Sequence, residues 1–310
     1  MALRHFLSIA DLSRDELTEV LKRARKLKVK WRTEMKPSRR LRGYTLAAIY
    51  EKPSLRTRVT FEVAMHQLGG HTINLGPADI QIGQRESVDD VAGNLSRWVQ
   101  IISARTFAHA TVTGLAQHGT VPVINALSDR EHPCQAVADL LTLEEHLGTL
   151  AGRKLAYVGD GNNVTHSLLL AGAILGINIS VACPVEYMPD AGIVDQARAL
   201  AEASGAEITI TPNLDLAVAN ADVIYTDVWT SMGQEAERDQ RAPIFAPYQI
   251  NQDVMHATGK PDTLFMHCLP AHRGEEVTSE VIDGPRSVVF DQAENRLHAE
   301  KAIILFLLDR

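Results

Sequence analysis

The chain has 310 residues, with 31 lysines and arginines against 38 aspartates and glutamates, a formal net charge of −7. Hydrophobic residues at 45% and charged residues at 22% are ordinary globular values, which excludes a disordered, collagen-like or coiled-coil chain, and the length suggests about two domains. The acidic balance argues against a broad nucleic-acid surface, no apolar run approaches the roughly 20 residues of a membrane span, and Cys134, Cys183 and Cys268 are too scattered for a disulfide framework or a CxxC metal site.

Residues 1–8 become charged too early for a signal peptide, which predicts a cytoplasmic protein. Ser13 with Glu16 three residues on is a capping-box signature, and Leu17, Val20, Leu21, Ala24 and Leu27 then recur at helical spacing. Strands are expected over 44–50, 72–75, 101–102 and 121–125, with helices over 57–68 (closed by Gly69-Gly70), 88–99 and 112–118. A long helical pattern at 134–147 would run between two domains. A second alternating set of strands and helices occupies 154–158, 168–175, 177–182, 193–203, 207–210, 223–227, 264–267 and 288–290, and a last helix is expected over 293–308. Such alternation predicts an α/β protein of two doubly wound parallel-sheet domains, with sites where strand ends face a cleft.

Chemistry gathers first at Glu51-Lys52-Pro53-Ser54-Leu55-Arg56-Thr57-Arg58, which follows an expected strand and opens an expected helix. The first N–H groups of a helix lack intrahelical partners and lie at the positive end of its dipole, so this junction favours an anion. Ser54 and Thr57 add hydroxyl donors, and Arg56 and Arg58 add guanidinium forks that match phosphate oxygens. A capped helix with two solvated arginines would use the same residues. His132-Pro133-Cys134-Gln135 sets an imidazole and an amide at another helix start, and Arg105 follows the 101–102 strand, where charged residues often line a site. An ordinary buried histidine and a surface ion pair are the plain alternatives.

Together these segments resemble the carbamoyl-phosphate signature of the aspartate/ornithine carbamoyltransferase family. The resemblance implies that Ser54, Arg56 and Thr57 bind the phosphate, with Leu55 standing in the same cradle where the family commonly has threonine. It also implies that Arg105, His132 and Gln135 hold the carbamoyl group. Gln81, in a segment at 81–87 that otherwise reads as a polar turn, would belong to a loop reaching into a neighbouring subunit's site. Carbamoyl phosphate is a small dianion whose carbonyl gains negative charge as an amine attacks. Charge-assisted hydrogen bonds of roughly 1.5–3 kcal/mol each would both bind it and stabilise that charge, with Arg105, Thr57 and His132 as donors.

The second half bears on the acceptor. Gly159-Asp160-Gly161-Asn162-Asn163 follows a strand, but Val164 breaks the GxGxxG pattern and Ser180-Val181-Ala182-Cys183 ends its strand without an acid, so a dinucleotide site is disfavoured. Asp227-Val228-Trp229-Thr230-Ser231-Met232-Gly233 and His267-Cys268-Leu269-Pro270 also leave strands. Asp227 could accept from an ammonium group or simply cap a helix, and Cys268 could be an inert buried thiol. As a set, these motifs resemble the signature of the family's ornithine branch. The resemblance implies that Asn163, Asp227, Ser231 and Met232 contact ornithine, that Cys268 and Leu269 border both substrates, and that Arg296 reaches the carbamoyl phosphate from the last helix. An acid, amides, a hydroxyl and a thiol suit a diamino acid better than aspartate, whose two carboxylates would call for several cations.

The expected organisation is therefore a carbamoyl-phosphate domain at 1–147, joined by a returning helix at 293–310, and an ornithine domain at 148–292. The expected reaction is carbamoyl transfer to the δ-amine of L-ornithine, with Arg105, His132, Cys268 and Asp227 as the catalytic set. Cys268 and Asp227 both remain open as the group that orients the amine or relays its proton. N-acetylornithine, putrescine or aspartate as acceptor, and a non-catalytic amino-acid-binding protein, are the alternatives. The resemblance implies a homotrimer with shared sites; no cofactor, metal, nucleic acid or membrane is called for. The stretch 231–260 is a candidate lid.

Overall fold

Ser13 opens the first helix as its spacing predicts: its hydroxyl accepts from the Glu16 amide while the Glu16 carboxylate accepts the Ser13 amide, and α1 (Arg14–Glu34) buries Leu17, Val20, Leu21 and Ala24. The computed structural model describes residues 3–231 and 233–310, and the chain divides into two units, Met1–Leu141 with Glu294–Arg310, and Thr142–Ala293.

In the first unit the chain runs through β1 (Thr45–Tyr50), α2 (Leu55–Leu68), β2 (His71–Leu75), α3 (Pro77–Ile80), α4 (Val88–Trp98), β3 (Ile101–Arg105), α5 (His109–His118), β4 (Val123–Leu127) and α6 (Pro133–Leu147). All pairings are parallel, in the order β2-β1-β3-β4. From the central β1–β3 pair the sheet grows in opposite directions, and that reversal is where open parallel sheets leave a crevice at their carboxyl ends. Register puts Tyr50 opposite Arg105 there. Ala47, Ile49, Ile102 and Ala104 pack under Val91, Leu95, Val112 and Leu115, so one face of the sheet is covered by α4 and α5.

The second unit continues with β5 (Lys154–Val158), α7 (Asn163–Leu175), β6 (Asn178–Ala182), α8 (Ala191–Ser204), β7 (Ile208–Thr211), α9 (Leu214–Val218), β8 (Val223–Thr226), α10 (Arg238–Phe245), α11 (Gln252–Ala257), β9 (Leu264–His267) and α12 (Ser279–Ile282), and leads into α13 (Val289–Leu307). Its parallel order is β7-β6-β5-β8-β9, with the reversal between β5 and β8. Every residue of α7 from Val164 to Leu175 is buried, so the helix lacks a polar stripe. Its first turn, Asn163-Val164-Thr165-His166-Ser167, reads as loop in the sequence because its residues are mostly polar, although buried from Val164 on, and the Asn162 cap is what places its start.

Two expectations change. The run at 288–290 does not form a strand: Ser287 makes an isolated bridge to Phe265, the Val288 amide donates to the Phe265 carbonyl at 3.0 Å, and α13 begins at Val289. The β-branched pair Val288-Val289 mimics a strand, but the helical spacing of the residues beyond it prevails. The strand at 101–102 extends through Arg105, which is its last residue rather than its successor, because polar Ser103 interrupts the apolar run without interrupting the ladder. None of the described helices is long and apolar enough to cross a membrane.

Candidate active site

The first unit gathers three sequence segments at the carboxyl ends of β1, β3 and β4. Ser54 holds the N-cap position of α2 in extended conformation, yet its hydroxyl makes no capping hydrogen bond, so the opening amides of α2 are left to another acceptor. Thr57 is buried on the first turn, Arg56 is half-buried beside it, and Leu55 is 74% exposed, so the leucine side chain turns away while its backbone helps to open the helix. Arg105 is buried at the tip of β3, with its carbonyl accepting from the Glu51 amide at 2.9 Å. His132 and Gln135 are buried where α6 starts.

Arg296 of α13 joins these pieces. Its Nη1 donates to Gln135 Oε1 at 2.7 Å and its Nη2 to Thr57 Oγ1 at 3.1 Å, while Gln135 Nε2 donates to Asp139 at 2.8 Å. One guanidinium therefore spans the phosphate-signature helix and the His-Pro-Cys-Gln segment. Burial first, and then the charges of Arg296, Arg105 and Arg56, hold the His132 imidazole well below its usual value. A neutral imidazole can donate one N–H to a carbonyl oxygen without adding a fourth positive charge. Gln81 stands apart from this group, on an exposed turn whose hydrogen bonds are internal: its carbonyl accepts from Gln84 and Arg85. Its φ of 45° is unusual for a side chain of that size.

In the second unit Asp227 is the centre. The carboxylate is buried just beyond β8, where it accepts from the Val228 amide at 2.8 Å, Asn162 Nδ2 at 2.9 Å and Cys268 Sγ at 3.0 Å. It does not cap a helix. Cys268 is partly exposed and follows β9; its position is fixed from behind by His267, whose Nδ1 accepts the Leu269 amide at 2.8 Å and whose Nε2 pairs with buried Glu276 at 3.2 Å. With both ring nitrogens engaged, His267 is no metal ligand for the Asp227–His267–Cys268 group, although the three lie within 4.8 Å of one another. Leu269 itself has φ 58°, a left-handed conformation that costs a leucine roughly 1–2 kcal/mol. Ser231 is half-buried, with its amide donating to Gln234 Oε1 at 3.3 Å, Asn163 begins α7, and Met232 lies outside the described residues.

Other participants escape a reading of motifs. Asn162 donates to Asp227, and its own Oδ1 caps α7 at the Val164 and Thr165 amides. Arg241 of α10 is buried, ion-paired with Asp160, bonded through Nε to the Trp229 carbonyl at 2.6 Å, and stacked over Tyr187 at 4.3 Å. It ties α10, part of the suggested lid, to the loops after β5 and β8. Burial outweighs that arginine and pushes the Asp160 carboxyl up to about 6. Gln292 accepts the His267 amide at 3.0 Å and donates to the Tyr225 hydroxyl at 3.0 Å. The Asp-Gly-Asn-Asn motif points at the first loop, but no local pattern marks Arg241 or Gln292.

Comparison with known proteins matches the chain to two family models. Residues 4–145 match "Aspartate/ornithine carbamoyltransferase, carbamoyl-P binding domain" and residues 151–307 match "Aspartate/ornithine carbamoyltransferase, Asp/Orn binding domain". The chain is 52% identical to the protein named "Ornithine carbamoyltransferase, anabolic" of Pyrococcus furiosus over 309 residues, covering 99% of this chain and 97% of that protein. Identity to the ornithine carbamoyltransferase of Thermococcus kodakarensis is also 52%, at the same coverage of both chains. Among solved structures, the ornithine carbamoyltransferase of P. furiosus superposes with a TM-score of 0.95 at 52% identity, covering 98% of this chain and 97% of that one. The Thermus thermophilus enzyme gives 0.89 at 45% identity, covering 99% and 100%.

Proposed function

The chain belongs to the aspartate/ornithine carbamoyltransferase family, and on that footing we propose that it transfers the carbamoyl group of carbamoyl phosphate to the δ-amine of L-ornithine, giving L-citrulline and phosphate. The observation that carries the donor half is the Arg296 guanidinium, which bonds Thr57 and Gln135 at once and so gathers the separate donor segments around one cation. Ser54, Arg56, Thr57 and Arg296 hold the phosphate, beside the backbone at Leu55. Arg105, neutral His132 and Gln135 hold the carbamoyl group and stabilise the charge that grows on its oxygen.

For the acceptor, Asp227 takes the α-ammonium group, Asn163, Ser231 and Met232 complete the ornithine site, and Cys268 and Leu269 stand next to the reacting amine. An amine of pKa near 10.4 must be neutral to attack, which costs roughly 4–5 kcal/mol at pH 7. Guanidinium groups near the reacting centre and an apolar neighbour such as Leu269 lower that cost. Asp227 accepts the Cys268 S–H, which leaves the sulfur lone pairs as acceptors for the amine's own N–H. Cys268 thus orients the nucleophile while Asp227 fixes the thiol, and the departing phosphate is the final proton acceptor. The name of the P. furiosus relative supports the arginine-forming direction.

We assign a homotrimer in which Gln81 serves a neighbouring subunit. Leu55 and Val59 on α2, with Ile73, Trp98 and Phe107 in the same unit, are large apolar side chains between 44% and 74% exposed, which a subunit interface would cover. Light scattering on the purified protein should give three times the chain mass. The function is tested by supplying carbamoyl phosphate with ornithine, N-acetylornithine, putrescine or aspartate. Citrulline and phosphate appearing in equal amounts with ornithine support it; turnover confined to another amine, or ligand-dependent melting without product, overturns it.

A further inference from the structure

α13 carries a buried carboxylate that the reaction as described does not use. Glu300 is fully buried one turn beyond Arg296, and its Oε1 accepts from Arg296 Nη2 at 3.0 Å. The same guanidinium is held by Thr57 and Gln135, so three acceptors aim it, of which Glu300 alone carries charge. Tyr50 of β1, Thr60 of α2 and Cys134 of α6 face Glu300 from the elements packed against it, and none of them is a cation. On its own helix Arg296 is the compensating charge, with Lys301 bonded instead to Gln67 at 2.8 Å.

A buried ion pair of this kind is finely balanced, since desolvation of both charges works against their attraction. Here burial outweighs Arg296 and raises the Glu300 carboxyl to about 7. When a phosphate dianion docks on the same guanidinium, a second negative charge enters the carboxylate's surroundings, and two like charges in one dry site do not both stay ionised. We propose that Glu300 is a positioning residue that holds Arg296 in aim while the donor is absent and takes up a proton from solvent as carbamoyl phosphate binds, yielding the guanidinium's full charge to the phosphate. This rests on the donor site assigned above.

The test is calorimetric titration of the intact protein with carbamoyl phosphate alone, from pH 7 to 8.5, in two buffers of different ionisation enthalpy. The wild type should take up a substantial fraction of a proton per site at pH 7.5, and its affinity should weaken by about tenfold between pH 7 and 8.5, the limit for one proton being tenfold per unit. Glu300→Gln keeps an acceptor for Arg296 without the charge. It should lose that proton uptake, show a nearly flat affinity over the same range, and bind more tightly than the wild type at pH 8.5. Lys301, which burial lowers to about 8, titrates in both proteins and cancels in the comparison. Wild-type binding without proton uptake, which needs no variant, overturns the proposal, as does a Gln variant with the wild-type slope and uniformly weaker binding, the mark of a purely structural role. No binding of carbamoyl phosphate to the wild type at all overturns the donor site itself.

Discussion

Replacing Asp227 by asparagine probes the acceptor side most directly. The carboxylate is 7% exposed and accepts from the Val228 amide, Asn162 Nδ2 and Cys268 Sγ at 2.8, 2.9 and 3.0 Å. Asparagine keeps the shape but turns one acceptor into an NH₂ donor. In one orientation that group meets Asn162 Nδ2, which cannot flip without giving up its cap on the Val164 and Thr165 amides. In the other it meets the Val228 N–H and the thiol. A buried donor faces a donor either way, a stability loss of about 1–3 kcal/mol. The substrate loses a charge-assisted bond as well, roughly 1.5–3 kcal/mol, so kcat/KM for ornithine should fall roughly 10- to 150-fold. Citrulline formation against ornithine concentration measures this, with urea unfolding to separate the stability loss and calorimetry to follow the donor. Affinity for carbamoyl phosphate should change much less, because the charged groups that hold it belong to the other unit. A wild-type kcat/KM for ornithine, or an equal loss of donor affinity, would refute the assignment of Asp227.

Arg105→Ala removes a guanidinium fork from the carbamoyl group; two charge-assisted bonds at roughly 1.5–3 kcal/mol each predict a fall in kcat/KM for carbamoyl phosphate of roughly 10²–10⁴-fold, and steady-state kinetics within tenfold of wild type would remove it from the site. Gly161→Ala should destabilise the protein by about 3 kcal/mol, since a Cβ there would lie 2.3 Å from Pro189 N, 2.5 Å from Met188 C and 2.6 Å from the Tyr187 carbonyl oxygen, all backbone atoms; an unchanged urea midpoint would contradict that geometry. His298 is buried and held down to about 3, chiefly by burial and then by Lys301. Because the folded value lies below the unfolded 6.5, the neutral ring favours folding above pH 6.5, and that contribution is lost as pH falls toward 3. His298→Gln should therefore lose about 2 kcal/mol less stability than the wild type between pH 6.5 and 5, and parallel losses in urea unfolding at the two pH values would overturn the sign.

Most of the scaffold is legible in the sequence because periodicity reports burial. The strands at 154–158 and 264–267 have the bounds that their apolar runs suggest, and the cap at Ser13 lies where the Ser-x-x-Glu spacing puts it. Errors fall where the local signal and the long-range environment disagree. Val288-Val289 looks like a strand but starts a helix, and the polar residues Asn163, Thr165, His166 and Ser167 hide the first turn of α7. Short helices such as Arg238–Phe245, Gln252–Ala257 and Ser279–Ile282 escape the pattern, since one or two turns leave too few positions to define a face. The site residues behave alike. Candidate residues inside a contiguous motif stand out in the sequence, whereas the bond from Asn162 to Asp227 depends on which way an amide turns in the fold.

What a motif cannot carry is a partner distant in sequence. Arg241 meets Asp160, Arg296 meets Thr57, and Lys28 meets Asn295, each pair joined by the fold and by nothing in the order of the residues. These are also among the most buried polar groups of their units, where an unmatched charge would cost several kcal/mol, so their geometry is strongly determined once the chain has folded. Leu269 extends the same point to the backbone. Its left-handed φ goes with a local 2.8 Å bond from its amide to His267 Nδ1, and the long-range part lies one step behind, where Glu276 and Gln292 fix His267. A strained residue held from behind by a buried chain of that kind, one position from a partly exposed thiol, is expected where a reacting amine must be placed to within a fraction of an ångström. Loosening the chain at Glu276 would therefore reach the chemistry through the Leu269 backbone rather than through any contact with substrate.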